Sequence, residues 1–388
     1  MSTPMNRRAW LKTTSLLTGG LALLPGQWNA LSAAPSSPFV PAKRLSDFEF
    51  GEGVRPALKA RLFANENPFG PSDKAKQAII DSLSNSYQYP MMSIGQLSQK
   101  IADFEGLDEK MIMLGAGSSS ILAAAALLFS KDGGNIVSAD PTYDDLPGRV
   151  ESLKTKWIKV PLTSEYKLDL DAMEKAVDSN TRLVYVCNPN NPTGTTVDAA
   201  KLKDFCERVS KKTTVFVDEA YIDYLPDPKG STMIECVKKG QNVIVARTFS
   251  KLYGFAGLRI GYAIAQPALV EKIEPYYSGL WCMSGPAIQA ALASYQDREF
   301  LDSALQKTFA SRDYLYKVLK EEGYQYIPSS TNFVMFPLKM DGERFTEEMM
   351  KRGVGVRFWK FNDKNWCRIS IGRMDEMQAF AEAFKEIS

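Results

Sequence analysis

Seven short apolar runs, several of them β-branched, dominate the middle of the chain: residues 111–114, 135–138, 156–160, 183–187, 215–217, 243–246 and 259–265. Helix-compatible segments lie between several of them, notably 119–129, 170–177 and 199–210. A strand apolar along nearly its whole length must be covered on both faces, and alternating helices supply that cover. The pattern therefore predicts an α/β fold, a mostly parallel sheet between helices. Upstream, 73–84 and 94–105 carry apolar residues at helical spacing, whereas 44–71 is rich in turn formers and reads as an arm outside the core. After Pro286 the texture changes to a long helical stretch (287–322), a strand-like 332–336, an amphipathic piece, a strand at 367–371 and a terminal helix at 374–387. That tail reads as a smaller α+β domain. The expected organisation is an arm over 35–75, a large domain over 76–285 and a small domain over 286–388.

What the chain lacks narrows its chemistry. It contains no histidine, which removes Ser-His-Asp and Cys-His nucleophiles, histidine-ligated zinc and histidine general bases together. Any catalysis must run on Lys, Asp, Glu, Tyr, Cys or a cofactor. The net charge of +2 offers no electrostatic footprint for nucleic acid. No two of Cys187, Cys206, Cys236, Cys282 and Cys367 stand in a C-x-x-C spacing, so they read as small buried hydrophobes rather than a metal or redox motif.

Residues 1–34 do not read as part of the fold. Asn6-Arg7-Arg8-Ala9-Trp10-Leu11-Lys12 resembles a twin-arginine export signal, followed by a modestly apolar stretch at 13–24 and the small residues Ser32-Ala33-Ala34. The alternative is an arm with a coincidental Arg-Arg pair. If the signal is genuine, the protein folds in the cytoplasm, with any cofactor loaded, and crosses to the periplasm through the twin-arginine machinery.

In an open α/β sheet, ligands sit at the carboxyl ends of the strands. Five polar clusters fall there: Gly115 to Ser120, Asp140 to Tyr143, Asn188 to Gly194, Asp218 to Tyr221, and Thr248 to Lys251. A lysine is a nucleophile only when neutral, and burial near other cations favours that form; Arg259 lies near enough to Lys251 in sequence to contribute. Asp218 directly follows Val215-Phe216-Val217, so it either caps the next turn or meets a cationic partner, for which a protonated pyridine nitrogen would serve. Asn191 stands in a tight turn and could donate to a phenolic oxygen. Gly115 to Ser120 opens a helix, and its free N–H groups suit a phosphate dianion, although it matches neither a dinucleotide nor a P-loop fingerprint. Tyr143 offers a face for stacking.

The ordered set Asn191, Asp218-x-x-Tyr221, Ser250-Lys251 and Arg259 resembles the fold-type I pyridoxal-phosphate aminotransferases of class I/II. Within them it is most similar to the histidinol-phosphate aminotransferase group. The matching motifs are Asn65-Glu66-Asn67-Pro68-Phe69-Gly70-Pro71, Tyr89-Pro90, Cys187-Asn188-Pro189-Asn190-Asn191-Pro192-Thr193-Gly194, Val217-Asp218-Glu219-Ala220-Tyr221 and Arg247-Thr248-Phe249-Ser250-Lys251, running on to Gly257-Leu258-Arg259-Ile260-Gly261-Tyr262.

The resemblance implies pyridoxal 5'-phosphate as cofactor, and an L-amino acid and a 2-oxo acid as substrates. It also implies roles. Lys251 would hold the cofactor covalently and carry a proton. Asp218 would keep the pyridine nitrogen protonated. Asn191 and Tyr221 would bond the ring oxygen, and Tyr143 would stack on the ring. Ser118, Ser119, Ser250 and Arg259 would hold the phosphate, with Thr248 assisting. Tyr89 would reach the neighbouring subunit's phosphate, implying a homodimer. Arg368 would pair with the substrate carboxylate, and Arg357 would stand near its side chain. The group commonly has Gly-Asn-Gly-Ser-Asp-Glu at the phosphate turn; here Ala116, Ser119 and Ser120 depart from it, which leaves backbone donation intact. Export would sit poorly with histidinol phosphate as substrate, so an amino acid or modified amino acid is expected instead. Decarboxylation or oxygen-dependent oxidation on the same site is the open alternative, and a disused cofactor fold is disfavoured because Lys251, Asp218, Asn191, Tyr221 and Arg259 are all present.

Overall fold

The connection from Thr248 to Gly261 decides how the larger sheet presents its chemistry. In the computed structural model, which describes residues 58–388, the strands are β1 (Ala60–Arg61), β2 (Ile112–Gly115), β3 (Asn135–Asp140), β4 (Lys156–Pro161), β5 (Thr181–Cys187), β6 (Thr214–Asp218), β7 (Val243–Thr248), β8 (Gly261–Ile264), β9 (Phe333–Pro337), β10 (Val354–Gly355), β11 (Arg357–Phe361) and β12 (Lys364–Ser370). The export segment 1–34 and the arm up to residue 57 lie outside the described residues. Strands β2 to β8 form one seven-stranded sheet in the order β2-β8-β7-β6-β5-β3-β4. It is mixed rather than parallel throughout, because β8 runs against both β7 and β2. The reason is local: a parallel return needs a crossover, usually a helix, and no helix separates β7 from β8. The chain therefore comes straight back to the end it left, with Gly261 opposite both Thr248 and Gly115.

Alternation along the central strands explains their unbroken apolarity. Val184, Val186, Val215 and Val217 enter one hydrophobic cluster, while Leu183, Tyr185, Cys187 and Phe216 enter another on the opposite face. The helix Ser118–Ser130 starts at Gly117, immediately after β2, and the helix Met91–Glu105 stops at Gly106 in the left-handed region.

A separate cluster gathers Leu62, Leu315, Val318, Phe336, Phe345, Phe380 and Phe384 around the antiparallel sheet β11-β12-β9. Three features depart from expectation. The 287–322 stretch is two helices, Gly285–Ser294 and Arg298–Glu321, interrupted at Gln296 (φ 64°), and Ala287, Ile288 and Ala291 pack into the large core. The second of these helices then runs between cores, with Leu301 in the larger and Leu315 in the smaller. The arm is not wholly outside a core: β1 pairs with β10, and Leu62 is fully buried in the smaller cluster. Finally, the amphipathic piece resolves into the helix Gly342–Lys351 and the strand β11, which turns into β12 through Asn362 and Asp363, both at positive φ as a two-residue hairpin requires. Four of the five cysteines are buried and Cys282 is exposed.

Candidate active site

At the end of β2, Gly117 (φ 73°) turns the chain into the helix Ser118–Ser130. Glycine is required there twice over: the backbone is left-handed, and a Cβ would overlap the Arg259 guanidinium. The first-turn N–H groups, unpaired within a helix, face outward as partial positive charge, and Ser118 and Ser119 lie in that turn. Arg259 comes from the β7–β8 loop with φ 58° and donates to Ser250 Oγ at 3.1 Å and to the Ala256 carbonyl at 3.0 Å. Thr248 Oγ1 donates to Ser250 Oγ (2.9 Å) and accepts from the Ser250 amide (3.1 Å). Ser120 turns back onto the Gly117 carbonyl instead. Two strand ends and one helix start thus assemble a cationic cradle rich in donors.

Asp218, 1 % exposed, ends β6. Burial raises its pKa to about 6, against hydrogen bonds from the Ala220 amide and the Tyr185 hydroxyl and the attraction of Lys251. Lys251 lies in the same pocket: its Nζ donates to the Asn65 carbonyl at 3.3 Å and stands 5.4 Å from the Tyr221 ring centre. Burial first, then the Arg368 and Arg259 charges, lower its pKa to about 8, with Asp218 and Glu66 pulling the other way. Arg368 is thus a larger influence on the amine than Arg259. Tyr143 follows β3; burial and the charges of Asp145 and Asp218 push its phenol up, partly offset by a hydrogen bond with Ser119.

The opposite wall comes from the smaller sheet. Arg368, 3 % exposed, donates to Asn191 Oδ1 at 2.7 Å and to the Phe63 carbonyl at 3.1 Å, while its buried Nε has no partner among the described residues. Burial lowers its pKa to about 10. Arg357 sits directly across the β11–β12 ladder from Arg368, so two guanidinium groups share one face. Burial pulls the Arg357 pKa down, opposed by Asp144 and Tyr143.

Asn65 ties the two walls together. At φ 53° its amide donates to Ser370 Oγ (2.7 Å), its Nδ2 donates to the Tyr221 hydroxyl (3.0 Å), and its carbonyl accepts from Asn332 Nδ2 (3.1 Å) as well as Lys251.

Of the residues singled out from the sequence, the structure gathers Ser118, Ser119, Tyr143, Asn191, Asp218, Tyr221, Thr248, Ser250, Lys251, Arg259, Arg368 and Arg357 around this crevice. Tyr89 is not among them; it is 77 % exposed, its ring edge-on to Trp281 at 5.7 Å. Sequence reasoning missed Tyr185, hidden as one more apolar position in a buried strand, and Asn332, a polar residue at the start of another. Asn65 was noticed as a motif member without a task.

Residues 59–384 match the family model for aminotransferase class I and II. The chain belongs to this family. The enzyme is 34% identical over 356 residues to a histidinol-phosphate aminotransferase of Moorella thermoacetica, covering 90% of each chain. It is likewise 34% identical over 354 residues to that of Brevibacillus brevis, covering 90% of this chain and 95% of the relative. Its fold superposes on a putative histidinol-phosphate aminotransferase from Erwinia carotovora atroseptica with a TM-score of 0.81 at 31% identity, over 86% of this chain and 98% of that one. A histidinol-phosphate aminotransferase from Sinorhizobium meliloti, solved with pyridoxal-5'-phosphate, gives a TM-score of 0.79 at 28% identity, covering 86% and 92%.

This aminotransferase depends on pyridoxal 5'-phosphate, and its residues fit that group. The glycine-floored cradle under Arg259 suits a phosphate dianion, the buried Asp218 carboxylate suits a pyridinium, and a buried lysine of lowered pKa suits an aldehyde. No group of residues able to hold a metal ion occurs among the described residues.

Proposed function

We propose that this aminotransferase works as an exported homodimer, exchanging an amino group between an L-amino acid, rather than histidinol phosphate, and a 2-oxo acid in the periplasm. The observation that carries the catalytic part is one pocket holding a lysine poised to lose its proton beside a buried aspartate. When bound, pyridoxal phosphate supplies an aldehyde that captures amines and a ring that accepts the electrons freed at the substrate α-carbon. Asp218 keeps a proton on the ring nitrogen. Lys251 takes up and returns the proton moved at the α-carbon from its Nζ, which the Asn65 carbonyl keeps aimed into the pocket. Asn191 has its Oδ1 occupied by Arg368 and so would offer its amide N–H to the ring oxygen, as would Tyr221 its hydroxyl. Ser118, Ser119, Thr248, Ser250 and Arg259 would hold the phosphate, and Tyr143 would stack on the ring. Arg368 orients the substrate carboxylate, and Arg357 meets its side chain.

Export is supported by Arg7-Arg8 and the apolar stretch behind them. The homodimer is supported by the exposed apolar residues Ile80, Leu83, Tyr87 and Met92, near Tyr89 in sequence, and by Trp281, whose ring meets that of Tyr89, apolar surface suited to a second copy. A screen of amino donors against pyruvate and 2-oxoglutarate tests the activity: a donor that both shifts the cofactor absorbance and yields its 2-oxo acid is the expected result. A cofactor-loaded protein silent to every donor, or one releasing carbon dioxide or consuming oxygen, would overturn transamination. Sedimentation of the wild type, and a reporter fused to residues 1–34 in cells with and without twin-arginine translocation, check the remaining parts.

A further inference from the structure

Asp218 has two carboxylate oxygens and each receives one donor. Oδ1 takes the Ala220 amide at 3.1 Å, from its own turn, and Oδ2 takes the Tyr185 hydroxyl at 3.1 Å, from the neighbouring strand. Tyr185 is fully buried on β5, in register with Phe216, two residues short of the Cys187–Asp218 pair. Its ring lies 6.0 Å from that of Phe216, among Leu183, Ile136 and Ile244. Phenylalanine would fill this apolar layer as well, and a hydroxyl buried without a partner is costly. The hydroxyl also lies beside the Cys187 side chain, and its charged partner is the Asp218 carboxylate. A phenol has one proton to give, and here it is given to Oδ2. Burial and the Asp218 charge push the phenol well above its ordinary pKa, so the tyrosine stays a donor.

We infer that Tyr185 is a positioning residue for the reaction: its hydroxyl fixes the plane of the Asp218 carboxylate and keeps it charged, so that Asp218 can hold the cofactor's ring nitrogen protonated. This rests on the pyridoxal-phosphate reading of the site. Two donors from different elements leave the carboxylate little rotational freedom, and each oxygen keeps acceptor capacity that they do not use. The other ionisable groups bearing on Asp218 are Lys251 from the β7–β8 loop, Asp145 from the helix Asp145–Ser152, Cys187 beside it on β5, and Tyr143. Lys251 favours its charge, and Asp145 disfavours it.

The test is Tyr185→Phe, with reconstitution by pyridoxal phosphate followed by absorbance across pH. Losing a hydrogen bond to a charged group should raise the pH at which cofactor affinity falls off on the acid side by about one unit, and weaken affinity near neutrality roughly tenfold. The kcat should drop by a similar factor with little change in donor KM. In an Asp218→Ala background the same substitution should add nothing, which separates Asp218 from Asp145. Placing 3,5-difluorotyrosine at 185, a stronger donor of nearly the same shape, should move the acid limb the opposite way and keeps the test open if the phenylalanine variant misfolds. An unmoved acid limb in a folded variant, or a loss of affinity equal at every pH, would overturn the role. If Asp218→Ala binds the cofactor as the wild type does, the cofactor reading itself has failed, a distinguishable result.

Discussion

The crevice has two anion-seeking walls, and they are built differently. The cradle of Gly117, Thr248, Ser250 and Arg259 comes from adjacent strand ends of one sheet, locked by the Gly261 register with both Gly115 and Thr248. The Arg368–Arg357 pair comes from the smaller sheet and meets the larger one through Asn191, Phe63 and the Asn65 cluster. The first wall suits a group that stays, because all its parts move together. The second suits a group that comes and goes, because its guanidinium groups hang on a separately packed core. The buried Arg368 Nε there also has no partner among the described residues.

That contrast can be broken from the cofactor side first. Lys251→Ala should lower turnover roughly 10⁴-fold or more while noncovalent cofactor binding persists; steady-state rates and cofactor retention on dialysis check it, and an active variant would remove the lysine from its place at the centre. Behind the first wall, Arg247 bonds Glu219 at 3.0 Å and Glu105 at 2.9 Å, with every partner largely buried. Arg247→Met should cost about 3–5 kcal/mol of stability by leaving buried carboxylates uncompensated, read in a denaturant melt; a loss below about 1 kcal/mol would show that this wall does not depend on its buried charges.

On the second wall, Arg368→Ala should reduce kcat/KM for carboxylate donors roughly 100-fold, chiefly through KM, and leave cofactor affinity near wild type. Equal losses in both would merge the two walls into one unit. The smallest effect concerns pH in the cofactor-free protein. Lys251, lowered to about 8 from 10.5, binds fewer protons folded than unfolded in that window, so its contribution makes stability rise with pH from about 8 to 10.5. Asp218, raised from 3.8 to about 6, does the reverse, and its contribution falls as pH climbs from 3.8 to about 6. Melting temperatures across pH should show both slopes flattened in Lys251→Met and Asp218→Asn respectively.

Much of the first wall was legible in the chain itself. Its parts are short motifs at strand ends, where apolar periodicity marks the strand and the next polar residue marks the site; Asp218 after Val217 and Gly117 before Ser118 are examples. Less of the second was. The strand β11 hid inside an amphipathic stretch, although Asn362-Asp363 between alternating residues was a usable hairpin signal. The arm looked coreless because Leu62 is buried by β10, a partner nearly three hundred residues away in sequence.

From its sequence alone this protein had its α/β class, its histidine-free chemistry and its family settled, since periodicity and contiguous motifs are local properties of a chain. Only the tertiary structure decided that β8 runs antiparallel, that Asn65 joins two cores, and that Tyr185, which lies outside every motif, donates to Asp218. Those are pairings across strands, and which residues a register brings opposite each other depends on sheet order and burial, which no local stretch of residues encodes.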